Sequence, residues 1–342
     1  MKINKIQLQN ALRTVKPGLA NKELLEQTNS FAFLGGRVIT YNDEISISHP
    51  VDGIDFEGTI VAQELYELLT RITKEEIDIT PSEGELLVQS GRMKAGLKME
   101  AEIKLPLKEV GGLKKIPDPE QFALFLSMAM KTCSNDLTQP RLACINVRKD
   151  GIIVASDGYR LIHCGGTKLP VEEFLLPATS AVEVLKILPT LLGVEKGWVH
   201  FGNEEGVIIS CRKLDDVYIP YEKIQGVLKM SGKETIEFPV KIEEMLDRVR
   251  QFAKRDFVFD ELVEVKIENG KILLRAETEG TKSWIEEKAT IETKETITFS
   301  ITPAMLEEIL KMTRSFVLDK SGTKMKFEGD DWEYVIMLRG KE

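Results

Sequence analysis

Residues 134–164 read SNDLTQPRLACINVRKDGIIVASDGYRLIHC, and this stretch gives the clearest indication of the fold. It contains short runs of β-branched and apolar residues that are typical of strands, and residues 149–151 (KDG) separate two of them as a hairpin turn would. Gly158 directly follows a strand-like run and an aspartate, which indicates a positive φ or a close approach of the backbone. The stretch therefore predicts antiparallel strands joined by tight turns.

Outside this stretch, six segments have the i, i+3, i+4 apolar spacing of amphipathic helices. The first, third and fifth recur at intervals of about a third of the chain, and so do the second, fourth and sixth. A repeat of this length indicates whole domains rather than the shorter units of a solenoid. The helices are predicted at about 4–16, 62–73, 118–134, 178–192, 241–254 and 303–313.

Between the helices, apolar and polar residues alternate as in strands that are buried on one face, for example at 263–267. Boundaries between the repeats are expected at the glycines 111–112 and near Ser231. We therefore predict an α+β fold of three repeated domains, each with two helices packed on antiparallel sheets. The predicted domains are 1–112, 113–231 and 232–342.

The composition excludes several classes of protein. The 342 residues carry 46 Lys+Arg against 55 Asp+Glu, a net charge of −9, which excludes a globally basic coat for nucleic acid but not a local basic surface. No apolar run approaches the roughly 20 residues of a membrane span, and the first ten residues lack the apolar core of a signal peptide. Four cysteines without a CxxC pair are typical of reduced thiols. We expect a cytoplasmic protein that does not bind membranes.

Motifs for catalysis are scarce. None of the three histidines lies in HExxH or at ligand spacing from a cysteine, and the sequence has no GxxxxGK[ST], GxGxxG or GxSxG motif. We therefore expect no enzymatic activity, no metal site and no cofactor. The alternative is a small-molecule enzyme that uses Cys164 beside His163, although neighbouring residues of a strand point to opposite faces.

Basic residues gather in the C-terminal halves of the predicted helices. One interpretation is that they complement the helix dipole, which contributes about 0.3–1 kcal/mol per charge. The other is a repeated cationic surface that binds the phosphates of double-stranded DNA without reading its sequence. Recurrence at equivalent places in three repeats favours the second interpretation. The candidate residues are Arg13, Lys16, Arg71, Lys74, Lys131, Lys186, Arg248, Arg250, Lys254, Lys311 and Arg314.

The segment 134–164 resembles the middle domain of the bacterial sliding clamps, the beta subunits of the replicative DNA polymerase III. The resemblance rests on Pro140, on the strand that begins near Leu142 and on the signature SDGYRL at 156–161. It continues, in the order found in the family, through 174–188 (FLLPATSAVEVLKIL), 214–224 (LDDVYIPYEKI) and 334–340 (YVIMLRG).

This resemblance implies a non-catalytic processivity factor. Clamps of this family are head-to-tail homodimers whose domains close into a six-domain ring around double-stranded DNA. Such a ring slides along DNA and holds a tethered polymerase at high effective concentration near the primer end. The implied partners are DNA polymerase and the clamp loader, which bind through a short linear motif. The alternative is a repeat-built scaffold that binds proteins without encircling DNA.

The resemblance also implies one pocket per subunit for an extended peptide that carries Leu or Phe. Its rim would consist of Gly158, Tyr159 and Arg160. Its apolar floor would consist of Leu142, Leu161, Pro220, Ile224, Val335 and Met337. Ordinary strand core is the alternative role for Leu142, Leu161 and Val335. Tyr159 stands where His is commoner in the family, which leaves the groove a larger amphipathic wall.

Overall fold

The computed structural model describes residues 1–107, 110–232 and 234–339, so Gly340 of the segment 334–340 lies outside the described residues. The helices are α1 (Lys5–Val15), α2 (Ala62–Arg71), α3 (Pro119–Thr132), α4 (Ala178–Lys186), α5 (Tyr221–Leu228), α6 (Ile242–Ala253) and α7 (Pro303–Leu310). The first strands are β1 (Lys2–Asn4), β2 (Ser30–Leu34), β3 (Arg37–Tyr41), β4 (Ile45–Pro50), β5 (Gly58–Val61), β6 (Glu76–Ser82), β7 (Glu85–Ser90), β8 (Met93–Glu100) and β9 (Lys114–Lys115). They are followed by β10 (Cys144–Val147), β11 (Ile152–Ser156), β12 (Arg160–Gly165), β13 (Phe174–Pro177), β14 (Leu191–Glu195), β15 (Trp198–Gly202) and β16 (Ile208–Arg212). The last are β17 (Thr235–Glu237), β18 (Val263–Glu268), β19 (Lys271–Glu277), β20 (Trp284–Thr290), β21 (Ile297–Ile301), β22 (Ser315–Leu318), β23 (Lys324–Gly329) and β24 (Trp332–Met337).

The order of these elements repeats three times along the chain. Each repeat has a short strand, a helix, four strands, a second helix and three strands. The short strands are β1, β9 and β17, and the paired helices are α1 and α2, α3 and α4, and α6 and α7. Only α5, between the second and third repeats, breaks this order within the described residues. The predicted threefold repeat is therefore present in the secondary structure.

Local sequence explains where the helices begin and which face they bury. The side chain of Asn4 caps α1 by accepting hydrogen bonds from the backbone N–H groups of Ile6 (2.9 Å) and Gln7 (3.1 Å). The predicted stripe of α1 is buried, with Leu8 and Leu12 both fully inaccessible to solvent. Spacing alone thus located the helix and its inward face.

Two helix predictions need correction. The fourth helix, predicted to reach residue 192, ends at Lys186 because Pro189 excludes helical backbone at the residue before it, and Leu188 adopts a positive φ of 49°. The helix α5 was not predicted from the sequence. This helix has only eight residues and contains Gly226, which lowers helix propensity.

The chain forms two compact units. The first contains residues 1–130, 146–151 and 167–216. Its twelve-stranded sheet has the order β1-β6-β7-β8-β5-β2-β3-β4-β16-β15-β14-β9. At its centre β4 pairs antiparallel with β16, with Ile45 opposite Cys211. A strand of the first repeat is therefore joined directly to a strand of the second.

The second unit contains residues 131–145, 152–166 and the described residues from Val217 onward. Strands β11-β12-β24-β23-β22-β17 are consecutive neighbours in one sheet, and β20-β19-β18-β21 form another. β12 pairs antiparallel with β24, so a strand of the second repeat is joined to the last strand of the third. α6 packs on β19 and β20 with Leu246 and Val249 fully buried. The predicted domain boundaries at 112 and 231 stay a prediction, since sheets in both units join neighbouring repeats.

Candidate functional site

The turn that leads into β12 positions the predicted rim of the pocket. Asp157 Oδ1 accepts hydrogen bonds from the backbone N–H groups of Tyr159 and Arg160, each at 2.9 Å. Gly158 has a φ of +91°, a conformation that residues with a Cβ rarely adopt, while the nearest atom to a Cβ at this position would be 4.0 Å away on Leu142. The glycine is required by backbone conformation rather than by lack of space.

The apolar floor comes from two paired strands. Leu161 on β12 lies opposite Val335 on β24, and both side chains are buried, with exposed fractions of 5% and 0%. These two residues therefore belong to the strand core and line the pocket at the same time. Met337 follows on β24, and its N–H donates to the carbonyl oxygen of Tyr159 at 2.8 Å. That hydrogen bond holds the rim against the floor.

These residues surround a cavity of about 220 Å³. It is smaller than the roughly 300–1,000 Å³ of typical small-molecule sites and fits one or two aliphatic side chains. Seven of the nine predicted residues line it; Leu142 only approaches Gly158, and Pro220 precedes the first turn of α5. The lining residues are Ser156, Gly158, Tyr159, Arg160, Leu161, Ile219, Lys223, Ile224, Val227, Val335 and Met337.

The missed helix α5 supplies one wall of this pocket. Ile224 is 1% exposed, and Lys223 and Val227 lie on the same helix and line the cavity with it. Of these three residues, only Ile224 was predicted to line the pocket. Pro220 just before the helix and Glu222 in its first turn are helix-start signals that could have revealed it.

Arg160 is held in place at the rim by several acceptors. Its Nε donates to Asp157 Oδ2 at 2.8 Å, its Nη1 to Glu308 Oε2 at 3.1 Å and its Nη2 to the carbonyl oxygen of Lys131 at 2.6 Å. Only 13% of the Arg160 side chain is exposed. The guanidinium is thus a fixed part of the wall, because a planar fork with three separate acceptors cannot rotate freely.

Six of the eleven candidate DNA-binding cations form ion pairs within the chain. These pairs are Arg71 with Glu67, Lys131 with Glu308, Lys186 with Glu183, Arg248 with Glu287, Arg250 with Glu307 and Arg314 with Glu237. In each pair a carboxylate oxygen lies within 4.0 Å of a cationic nitrogen, where it competes with a DNA phosphate for the cation. The described residues provide no such ion pair for Arg13, Lys16, Lys74, Lys254 and Lys311, whose side chains are all exposed.

The helix ends also differ from the prediction that every helix carries basic residues in its C-terminal half. α7 ends at Leu310 and has no basic residue in its last turn, so Lys311 lies just after it and Arg314 immediately before β22. Lys74 likewise lies beyond α2, which ends at Arg71. For Lys74 and Arg314 the dipole interpretation is weakened, because that effect acts mainly within the last turn, whereas Lys311 is the C-cap of α7 and remains at the negative end of the dipole.

The candidate nucleophile Cys164 is poorly suited to catalysis. Its side chain is fully buried on β12, and burial raises the pKa of the thiol well above its usual range. A thiol with a raised pKa holds almost no thiolate at neutral pH, and the thiolate is the nucleophile. His163 contacts the hydroxyl of Tyr221 at 3.0 Å. The geometry thus disfavours the enzyme alternative.

The described residues contain neither a candidate metal site nor a membrane-spanning helix. No three His, Cys, Asp or Glu side chains in residues 1–107, 110–232 and 234–339 are grouped so that they could hold a metal ion. In the same part of the chain, no helix has the length and apolar character needed to cross a membrane.

Comparison with known proteins identifies the fold. No family model and no curated protein matches the chain. The sliding clamp (DNA polymerase III subunit beta) of Pseudomonas aeruginosa bound to griselimycin is 16% identical, with a TM-score of 0.86 over 100% of this chain and 99% of that one. The DNA polymerase III beta chain of Streptococcus pneumoniae is 16% identical, with a TM-score of 0.85 over 99% of both chains. The beta sliding clamp of Caulobacter crescentus is 15% identical, with a TM-score of 0.85 over 99% of both.

The chain therefore has the α+β fold of the bacterial sliding clamps along its length. This confirms the predicted fold class and the resemblance seen in 134–164. At 15–16% identity the likeness concerns the fold.

Proposed function

We propose that this protein is a DNA sliding clamp, a non-catalytic processivity factor that acts in the cytoplasm as a homodimeric ring around double-stranded DNA. The observation that carries the proposal is the pocket. In a chain with the clamp fold, seven of the nine residues that the family resemblance assigned to a partner-binding groove line one small apolar cavity. The proposed partners are a DNA polymerase and a clamp loader.

The pocket supports binding of a short linear motif. A cavity of about 220 Å³ matches a Leu or Phe side chain of an extended peptide better than a whole small molecule. Leu161, Ile224 and Val335 provide a buried apolar floor, and Met337 and Tyr159 lie at the mouth with 41% and 44% of their surfaces exposed. A bound side chain would gain affinity mainly by covering the last two.

Free strand edges support closure of the ring. β8 pairs with β7 over residues 93–98 and with β5 at Met99 and Glu100, so within the described chain the other edge of 93–98 has no strand partner. β20 is the outermost strand of its sheet, and among the described strands it pairs with β19 alone. We propose that β8 of one subunit pairs with β20 of the other. Such a contact is head-to-tail and occurs twice in a closed dimer.

The charges of the two edges have opposite signs. β8 carries Lys94, Lys98 and Glu100, a net charge of +1, and β20 carries Glu286, Glu287 and Lys288, a net charge of −1. Glu286 and Glu287 also form ion pairs with Arg275 and Arg248 of their own chain. Complementary charges favour pairing of unlike edges and disfavour pairing of β8 with a second β8. The edge pairing thus favours a head-to-tail ring over a two-fold contact between identical edges.

Of the eleven candidate cations, the five exposed ones for which the described chain provides no ion pair are the residues that we propose to contact DNA. They occur in the first repeat (Arg13, Lys16 and Lys74) and in the third (Lys254 and Lys311). Phosphate contacts of this kind are sequence-independent and exchange readily, as sliding requires. Because such contacts exchange readily, retention on DNA would depend on the closed ring more than on the affinity of the protein for DNA.

The alternative function is a protein-binding scaffold that does not encircle DNA. The specific observation in its favour is the ion pairing of six of the eleven candidate cations, which reduces the positive charge available to DNA. A topological test separates the two functions, because only a closed ring depends on the ends of the DNA.

For this test the protein is loaded onto a nicked circular plasmid with a bacterial clamp loader and ATP, and free protein is removed by gel filtration. We expect the protein to elute with the circular plasmid and to be released when a restriction enzyme linearises it. Equal retention on circular and linear DNA would indicate ordinary binding. The control is the loader's own clamp, which should be retained on the same plasmid. If that clamp is retained and this protein is retained on neither form of the DNA, the result would support the scaffold and contradict the clamp.

A further inference from the structure

The connection between α6 and β18 exposes two large apolar side chains next to the pocket. Phe257 is 73% exposed and Val258 is 48% exposed. Exposed apolar groups that are scattered singly are ordinary, but a contiguous group rimmed by polar residues marks an interaction surface. Whether these two residues form such a surface depends on how firmly they are held and on what they adjoin.

Several contacts fix this connection. Arg339 Nη2 donates to the carbonyl oxygen of Phe259 at 3.1 Å, and the ring of Phe259 stacks on the ring of Tyr159 with centroids 4.9 Å apart. Glu261, only 6% exposed, accepts a hydrogen bond from Arg250 Nε at 3.2 Å. Both sides of the exposed pair are thereby anchored. Val258 begins a single turn of 3₁₀-helix (Val258–Asp260) and Phe257 is its N-cap, so both exposed side chains are held by ordered backbone, which lowers the entropy cost of binding.

The anchored connection is continuous with the pocket. Tyr159 forms part of the pocket rim on one side and stacks on Phe259 on the other. We call the surface formed by Tyr159, Phe257, Val258 and Phe259 the aromatic shelf. An extended chain advances about 3.3–3.6 Å per residue, so a peptide in the pocket reaches the shelf within a few residues.

The charges beside the shelf favour a protein over DNA as its occupant. Asp256 and Asp260 flank the exposed pair and are themselves exposed. The nearest cation along the chain, Arg255, lies 3.5 Å from Glu279 and donates to the carbonyl oxygen of Glu277 at 3.0 Å. A phosphate backbone on the shelf itself would meet two carboxylates and two engaged arginines, because Arg339 donates to the carbonyl oxygen of Phe259 and its guanidinium lies 5.9 Å from the centroid of the Tyr159 ring. Lys254, which we propose to contact DNA, is not one of the shelf residues.

We infer that the aromatic shelf is a second contact for the proteins that bind the pocket, and that it takes an apolar or aromatic residue lying outside their short motif. The inference rests on the proposed function, because it assumes that the pocket binds a peptide. It assigns Phe257 and Val258 to partner selection. Partners with an apolar flank bind more tightly than partners that offer the motif alone.

The experiment compares peptides of two lengths. The short probe is a fluorescein-labelled ten-residue peptide with Leu and Phe for the pocket. Two long probes add Trp-Leu through a Gly-Ser spacer, one at the N-terminus and one at the C-terminus. With the wild-type protein, one long probe should bind about tenfold more tightly than the short one, the gain expected for one anchored aromatic side chain. The double variant Phe257→Ser/Val258→Ser should abolish this gain and leave the affinity for the short probe unchanged.

Val240→Ser is the matched control, because Val240 is 79% exposed in the same unit and does not line the pocket. This variant should retain the tenfold gain. Equal affinity of the short and long probes for the wild-type protein would overturn the shelf while leaving the pocket intact. The shelf would also be overturned if the double variant kept the tenfold gain in affinity for the long probe. The same conclusion would follow if the double variant changed only the self-association of the protein, measured by sedimentation. Failure of the wild-type protein to bind the short probe would overturn both the pocket and the shelf.

Discussion

Met337→Ala is the substitution that most cleanly tests the pocket. Met337 lines the cavity while exposing 41% of its surface, so its truncation removes contact area from a bound peptide without opening the protein core. If a peptide covers about 80 Å² of that surface at about 25 cal/mol per Å², the loss is about 2 kcal/mol. This corresponds to a Kd about 30-fold higher at 25 °C.

Fluorescence anisotropy with the labelled ten-residue peptide measures this change directly. Met312→Ala serves as the matched control, because Met312 is 44% exposed next to α7 and does not line the pocket. We expect an unchanged Kd for this variant and unchanged thermal unfolding for both. An unaltered Kd for Met337→Ala, or equal losses for the two methionine variants, would refute the assignment of the pocket.

Three further predictions concern buried groups. Leu161→Ala should lower the free energy of unfolding by about 2–5 kcal/mol in urea titrations, because this 5% exposed side chain belongs to the strand core as well as to the pocket; a loss below 0.5 kcal/mol would contradict that double role. Cys164 should stay unreactive toward a thiol reagent at pH 8 until the protein unfolds, since burial raises its pKa, and rapid labelling of the folded protein would revive the enzyme alternative. Hydrogen bonds from Ser321 and Ser231 hold the pKa of Asp319 well below its usual range. The ionised carboxylate therefore stabilises the fold fully above its ordinary pKa of 3.8. This contribution is lost as the pH falls through the lower pKa that Asp319 has in the folded protein. Asp319→Asn should therefore lower stability at pH 7 and have a smaller effect in acid, and an effect independent of pH would refute this account.

Local patterns predicted the helices because amphipathic spacing and capping are properties of neighbouring residues. α1 and α6 lie where their apolar stripes indicated, and the turn glycine Gly158 has the positive φ that its place after Asp157 suggested. The end of α4 was missed although Pro189 marks it, because the apolar spacing continues past the proline. Patterns of spacing therefore need to be checked against backbone chemistry residue by residue.

Long-range contacts could not be predicted from these patterns. Arg250 lies at a helix position that suggested contact with DNA, yet it bonds to Glu261 and Glu307, of which the second is 57 residues away. The partners of such a cation depend on how distant helices and loops pack, which composition and periodicity do not encode. The residues assigned to the pocket came from the family resemblance rather than from such patterns, and seven of them line one cavity.

The role of α5 as a wall of the pocket could not be predicted from local patterns either. Ile219, Lys223 and Val227 line the pocket, but the helix-start signals at Pro220 and Glu222 indicate only that a helix begins there, and they do not indicate what it packs against. Their role follows from the docking of α5 against β24, a contact between segments more than 100 residues apart. A family resemblance assigns roles only to residues that match a known signature of the family.

The most direct test of the central claim is negative-stain electron microscopy of the purified protein, combined with its mass by sedimentation equilibrium. The account predicts closed rings with a central opening wide enough for duplex DNA and a particle mass of twice 38.6 kDa. A stable particle of 38.6 kDa at micromolar concentration, or a dimer without a central opening, would contradict it.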